Sequence, residues 1–222
     1  MKKQFRVLAL LALPLLGIAQ EPSKKLHLGF TVSPNVGWLQ ITNNTIPGQS
    51  SEAARMGFSY GVLADVGFQK NYYFSTAFVV TSMSGRSAFT ASNTGPGSHR
   101  TEYTYKVRSI EVPVTLKLKS NEFSGRRFYG QFGLGSGIRL DARQDYVLST
   151  PDGTTFGENI NITDQVNTFR LSLIAGGGVE WKVGPDVNVL TGISLNNGFT
   201  NTMSGSEQMR NSYVALNLGI FF

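Results

Sequence analysis

Residues 110–119 read I-E-V-P-V-T-L-K-L-K, and they constrain the fold more than any other stretch. Side chains of a strand alternate sides with period 2. Ile110, Val112, Val114, Leu116 and Leu118 therefore share one face, and Glu111, Thr115 and Lys117 share the other. A helix would mix these charges among the aliphatics, whereas a strand separates two environments. The last residues, 212–222, repeat the pattern as S-Y-V-A-L-N-L-G-I-F-F, with Val214, Leu216, Leu218, Ile220 and Phe222 on the apolar face. Tyr213, Ala215, Asn217, Gly219 and Phe221 lie on the mixed one.

Six further stretches alternate in the same way: residues 26–38, 58–68, 72–80, 128–140, 169–181 and 187–196. Each sets Phe, Leu, Val or Trp against Gly, Ser, Asn or a charge. Pro34 falls on the apolar face of the first, and because it has no N–H for a ladder it is expected at a bulge or near an edge. Short turns at 69–71, 120–125 and 183–186 alternate with long polar loops at 41–55, 84–101, 141–167 and 200–210. Eight strands with this alternation predict an all-β fold, an eight-stranded antiparallel up-and-down barrel that spans a membrane, with short turns and both termini on the periplasmic side.

The direction of the apolar face decides between a membrane barrel and a soluble one. Eight strands enclose a lumen only wide enough for side chains to fill. Glycines and paired charges suit that space better than the Phe, Leu and Trp of the opposite face, which therefore faces lipid. Phe58, Phe68, Tyr72, Phe128, Phe169, Trp38, Trp181 and Phe222 fall near strand ends, where aromatic girdles are expected. The polar face then forms a structural network in the lumen: Asp65, Lys117 and Glu180 toward the short turns, Glu111 near mid-strand, and Arg139 and Arg170 toward the long loops. A buried charge without a partner costs several kcal/mol, so these groups are expected to pair with one another.

The N-terminus has the order of an export signal, with Lys2, Lys3 and Arg6, an apolar run over 7–16 and then Gly17-Ile18-Ala19. Residues 1–19 are read as a cleaved signal peptide and residues 20–222 as one barrel domain. Cleavage lowers Lys+Arg from 20 to 17 against 14 acids, and the net charge from +6 to +3. No basic patch with interleaved aromatics is present, which argues against nucleic acid as a partner. Nothing beyond residue 20 approaches the roughly 20 apolar residues of a membrane helix. The absence of cysteine removes disulfides and thiolate metal sites, as suits a barrel held by its closed ladder.

Several segments resemble the PorT-like family of outer-membrane β-barrel proteins of Bacteroidetes. They are L-H-L-G-F-T-V-S-P-N-V-G from Leu26, G-F-S-Y-G-V-L-A-D-V from Gly57, the strand from Ile110, R-F-Y-G-Q-F-G-L-G-S-G from Arg127, A-G-G-G-V-E-W from Ala175, N-N-G-F-T-N from Asn196 and the closing L-N-L-G-I-F-F. Glu111-Val112-Pro113 is the most distinctive. The third strand departs from the family by carrying no acidic residue. The resemblance implies an outer-membrane location and an envelope or secretion-associated role. Its implied partners are outer-membrane lipid, the barrel-assembly machinery and an envelope or secretion-system protein, with Phe222 as an assembly signal like the C-terminal aromatics of such barrels.

These readings make the chain a non-enzymatic barrel with a plugged polar lumen and no catalytic, cofactor or metal residues. Two alternatives come from other classes. A lipid-modifying enzyme needs an activated nucleophile or base at the lipid boundary, for which His27 and Ser98-His99 are the candidates. A passive channel needs an open lumen. Asp141, Asp145, Asp152, Glu158 and Asp164 crowd one loop without calcium-loop spacing and are read as a solvated acidic loop.

Overall fold

The computed structural model describes residues 26–41, 48–92, 98–203 and 209–222. The expected signal peptide lies outside the described residues. The strands are β1 (Leu26–Ile41), β2 (Gln49–Ser51), β3 (Arg55–Gln69), β4 (Tyr72–Ser92), β5 (Ser98–Lys119), β6 (Arg126–Thr150), β7 (Gly153–Asn161), β8 (Phe169–Lys182), β9 (Asn188–Gly198) and β10 (Met209–Phe221). Eight of them close a ring of antiparallel neighbours in the order β1-β3-β4-β5-β6-β8-β9-β10, with β1 paired to β10. The remaining two, β2 and β7, attach outside the ring to β4 and β6.

Alternation sets the wall. Along β5, Glu111, Thr115, Lys117 and Lys119 are buried, while Val112, Val114, Leu116 and Leu118 are exposed. Along β10, Tyr213, Ala215 and Phe221 are buried and Val214, Leu216, Leu218, Ile220 and Phe222 exposed. A continuous belt of exposed Phe, Leu, Val and Ile results, which in water would be a severe liability and in lipid is the stable arrangement. Phe58, Phe68, Tyr72, Phe128, Phe169 and Phe222 are exposed near strand ends. Trp38 and Trp181 are half-buried, Trp181 donating its indole N–H to Thr191 Oγ1 at 2.8 Å and lying 4.8 Å from the Arg126 guanidinium.

At the short-turn end, Asn71 (φ 71°) and Gly125 (φ 72°) supply the left-handed conformations that reverse the chain within a few residues. The other end departs from expectation. Residues 84–101 were expected to be a long loop, but β4 and β5 continue in register from Ser84–Lys106 to Ser92–Ser98. Residues 141–167, expected to be the longest loop, hold the end of β6, its hairpin partner β7 and a short 3-10 turn, Thr163–Gln165. Within 41–55, β2 adds a short strand against residues 87–89 of β4. A polar sheet thus rises beyond the belt on the β4–β6 side. Hydroxyls and charges such as Ser84, Arg86, Thr104 and Lys106 replace apolar residues on its outward face, which hides the strand period from hydropathy.

Pro34 also departs from expectation. It sits at neither an edge nor a bulge, but inside the ring: the β1–β10 ladder skips Ser33 and Pro34 and resumes in the same register at Asn35–Ala215. Ser33 Oγ, 3.2 Å from Asn217 Oδ1, and Thr31 Oγ1, 3.0 Å from the Leu218 carbonyl, bridge the interruption.

Candidate functional site: a layered polar lumen

The lumen is built in three layers from residues spread over the eight ring strands. Nearest the short turns, Lys117 Nζ lies 3.0 and 2.9 Å from the two oxygens of Asp65, and Lys119 Nζ lies 3.0 Å from Asp65 Oδ2. Lys119 Nζ also reaches Glu180 Oε1 at 2.7 Å, an ion pair with poor hydrogen-bond alignment, and Lys117 is 4.0 Å from the same oxygen. All four side chains are buried, so two cations and two anions neutralise each other where an unmatched charge would be costly. Aromatic faces complete the setting: Tyr73 stands 4.1 Å from Lys119 Nζ, and Tyr129 and Phe221 about the ammonium of Lys117 at 5.1 and 5.2 Å. Tyr129, Leu190 and Phe221 form an apolar floor against which Leu63 packs.

The second layer is a closed ring of hydrogen bonds. Arg170 donates from Nη1 to Glu111 Oε1 at 3.0 Å and from Nη2 to Asn196 Oδ1 at 2.7 Å. Asn196 Nδ2 donates to the Tyr213 hydroxyl at 3.0 Å, and that hydroxyl donates to Glu111 Oε2 at 2.8 Å. Four strands, β5, β8, β9 and β10, each contribute one member. Arg170 Nη2 also donates to the Asn211 carbonyl at 3.0 Å. Between this ring and the charged quartet lies a cavity of about 110 Å³, bordered by Glu111 and Lys117 and by hydroxyls such as Ser59, Ser75 and Thr115.

The third layer is apolar. Leu39, Tyr105, Val107, Ala142, Ile162, Val166, Met203 and Met209 pack into one buried cluster across the long-hairpin end. The segment 162–168 is tied down by Arg139, whose Nη1 donates to the Val166 carbonyl and whose Nη2 lies 3.4 Å from Thr168 Oγ1. Asn167 Nδ2 donates to the carbonyls of Asn201 and Met203 at 2.9 and 3.0 Å.

Of the six residues expected to form one lumen network, the structure places Asp65, Lys117 and Glu180 together and Glu111 with Arg170 in a separate layer. Arg139 joins neither and holds a loop instead. Three members were missed. Lys119 closes the expected strand 110–119 with the parity of Lys117, and that parity alone could have found it. Asn196 and Tyr213 are uncharged, and only their inward parity marked them. Phe222, the expected assembly signal, is exposed beside Phe30 with ring centroids 5.8 Å apart, and its N–H donates to the Leu28 carbonyl at 2.9 Å.

The two histidines are far apart in the fold. His27 lies at the short-turn end with its ring 6.0 Å from Tyr73 and 6.5 Å from Phe221, and His99 sits opposite Ala91 near the tip of the β4–β5 hairpin. Asp141 pairs with Arg108 at 3.0 Å and Arg143 at 3.4 Å, and Asp145 with Lys106. Asp145 Oδ1 accepts the Asn159 backbone N–H at 2.9 Å, which, with Lys106, holds this carboxyl below the ordinary carboxylate range.

Among solved structures, the chain is similar to Neisserial surface protein A, at 13% identity over 90% of this chain and 97% of that one, with a TM-score of 0.44. It is similar to the outer membrane protein OprG from Pseudomonas aeruginosa, at 8% identity over 90% and 95%, with a TM-score of 0.42. Ail, the attachment invasion locus protein of Yersinia pestis, matches at 11% identity over 90% and 98%, with a TM-score of 0.36. No curated protein sequence matches the chain. The family profile described as an outer membrane protein beta-barrel domain matches residues 18–217, nearly the whole chain. The protein therefore belongs to the outer membrane beta-barrel domain family and resides in the outer membrane.

Proposed function

We propose that this outer-membrane barrel is closed to solutes and acts through its projecting hairpins, as an envelope or secretion-associated component of the PorT-like kind. The observation that carries the reading is the three-layered lumen: a charged quartet over an apolar floor, a hydrogen-bonded ring and an apolar plug. A barrel that invests its interior in mutual pairing leaves its outer hairpins as the part free to meet a partner. On the wall of that sheet Phe156 and Val147 stand opposite each other and exposed, at 70% and 42%. The reading includes export through a cleaved signal over residues 1–19 and recognition of Phe222 by the assembly machinery.

A photo-crosslinking side chain placed at Phe156, in native envelopes, tests it. Capture of one discrete protein from Phe156, but only lipid from Val114 on the belt, is the expected result. Capture of the same species from both positions, or of none from Phe156, contradicts it.

A further inference from the structure

Glu111-Val112-Pro113 contributes Glu111 to the lumen ring, but the ring makes no use of Pro113. A backbone carbonyl and N–H of one strand residue point to the same neighbour. The Pro113 carbonyl accepts the Thr76 hydroxyl at 2.8 Å, so its missing N–H also faces β4. The β4–β5 ladder shows the consequence. It runs to Thr76–Val114 and resumes at Val79–Glu111 in the same register, without the pairs Ala77–Pro113 and Phe78–Val112. On its other edge, β5 stays paired to β6 through Pro113–Gly135.

Two cavities meet at this interruption. The lumen cavity of about 110 Å³ is lined by the lipid-facing Thr76 as well as by Ala77 and Leu63, which face inward. On the lipid side a groove of about 530 Å³ runs between Phe30, Phe78 and Phe222, and its floor includes the same Leu63, Thr76 and Ala77. Residues of opposite parity thus line both spaces, and Leu63, Thr76 and Ala77 form the wall between them. Nearly all the groove's lining is apolar, whereas the lumen side offers Ser75, Thr115 and Gln131.

We propose that the β4–β5 seam at Pro113 is a lateral binding site for a single-chain amphiphile drawn from the bilayer, its chain in the groove and its polar end in the lumen cavity. The location in the outer membrane supplies the occupant: acyl chains are the solvent of this groove. The polar end gains hydroxyl and amide partners that hydrocarbon cannot give. Local opening is easiest where the ladder lacks its bonds. The Pro34 interruption lacks this arrangement, because the groove's lining does not reach it.

The chain has no cysteine, so Ala77→Cys gives a single reporter on the lumen side of the seam. In phospholipid vesicles it is exposed either to a long-chain alkyl maleimide dissolved in the bilayer or to a charged maleimide in water on both sides. The expected result is labelling by the alkyl reagent alone. Pro113→Val, which restores the N–H, slows it about tenfold, the factor that one hydrogen bond at the upper end of its net worth represents. Pro34→Val leaves it unchanged, and Thr76→Val, which removes the bridging hydroxyl, speeds it. Palmitic acid slows the labelling and hexadecane does not. Alkyl labelling that is absent, or indifferent to both Pro113→Val and Thr76→Val, overturns the seam. Equal protection by hexadecane overturns the polar end. Labelling by the charged reagent contradicts instead the closed lumen on which the inference rests.

Discussion

The hydroxyl of Tyr213 donates a 2.8 Å hydrogen bond to Glu111 Oε2 across the lumen, joining residues 102 apart in sequence on strands that stand four places apart in a ring of eight. The last strand and the Glu-Val-Pro strand are therefore opposite walls, tied at mid-barrel. Tyr213→Phe leaves one Glu111 oxygen and the Asn196 amide short of a partner. Its expected cost is about 1–3 kcal/mol, the penalty for a buried polar group left unpaired. Urea unfolding of the protein in lipid vesicles measures it, and a change well below that range places the wall's stability elsewhere.

Asp65 accepts from two lysines, so Asp65→Asn leaves Lys117 and Lys119 facing Glu180 alone. Breaking a buried pair by removing one partner costs about 3–5 kcal/mol, whereas an apolar replacement of both can be neutral. The double variant Asp65→Asn, Lys117→Met should therefore be more stable than Asp65→Asn alone. Equal or lower stability of the double variant argues that the quartet does not act as a balanced unit.

Val114 stands on the belt, 55% exposed, two residues from Val112 and Leu116 on the same face. Val114→Arg is expected to cost about 2–4 kcal/mol in a bilayer if it lies near the midplane, falling toward about 0–1 at the interfaces. Val147→Arg, on the projecting sheet beyond the belt, is expected to be close to neutral by vesicle unfolding. Similar costs for the two would contradict the placement of the belt in lipid.

Asp145 titrates the projecting hairpin. Its folded pKa lies below the unfolded carboxyl value because the Asn159 N–H and Lys106 favour the ionised form. A group depressed in this way stabilises the fold fully above the unfolded value of about 3.9, and that stability is lost as pH falls through the lower folded value. Protease cleavage within the β6–β7 hairpin should accelerate as pH falls below about 4. Asp145→Asn should be more readily cleaved at neutral pH and should lack that acid step, measured with a protease active over the range.

The sequence showed where the wall and the lumen would be because lipid and lumen impose opposite chemistry on neighbouring residues. Glu111 between Ile110 and Val112 is such a signal, and it set the parity of the whole strand. Beyond the belt that contrast disappears. Ser84, Arg86 and Thr104 belong to strands as regular as those in lipid, but their outward side chains are polar there, and the residues read as loop. Pairing within the lumen was legible only where charge announced it. Lys117 was marked by charge and parity, Tyr213 by parity alone, and the division of the network into two layers depends on strand stagger, which no single strand encodes. Arg139 shares the parity of the lumen but lies level with the folded-back segment 162–168, so a carbonyl reached it in place of a carboxylate. The prolines followed a different rule from the one expected, because hydroxyls of Thr76, Thr31 and Ser33 bridge their interruptions inside the ring.

Single-channel recording in planar bilayers tests the closed lumen most directly. With folding established by heat-modifiable gel migration, the intact protein is expected to give no conductance steps, because the charged quartet, the Glu111–Tyr213 ring and the apolar plug stand in series. Regular, reproducible steps from the folded wild-type protein would show a continuous water path through those layers and would contradict the account.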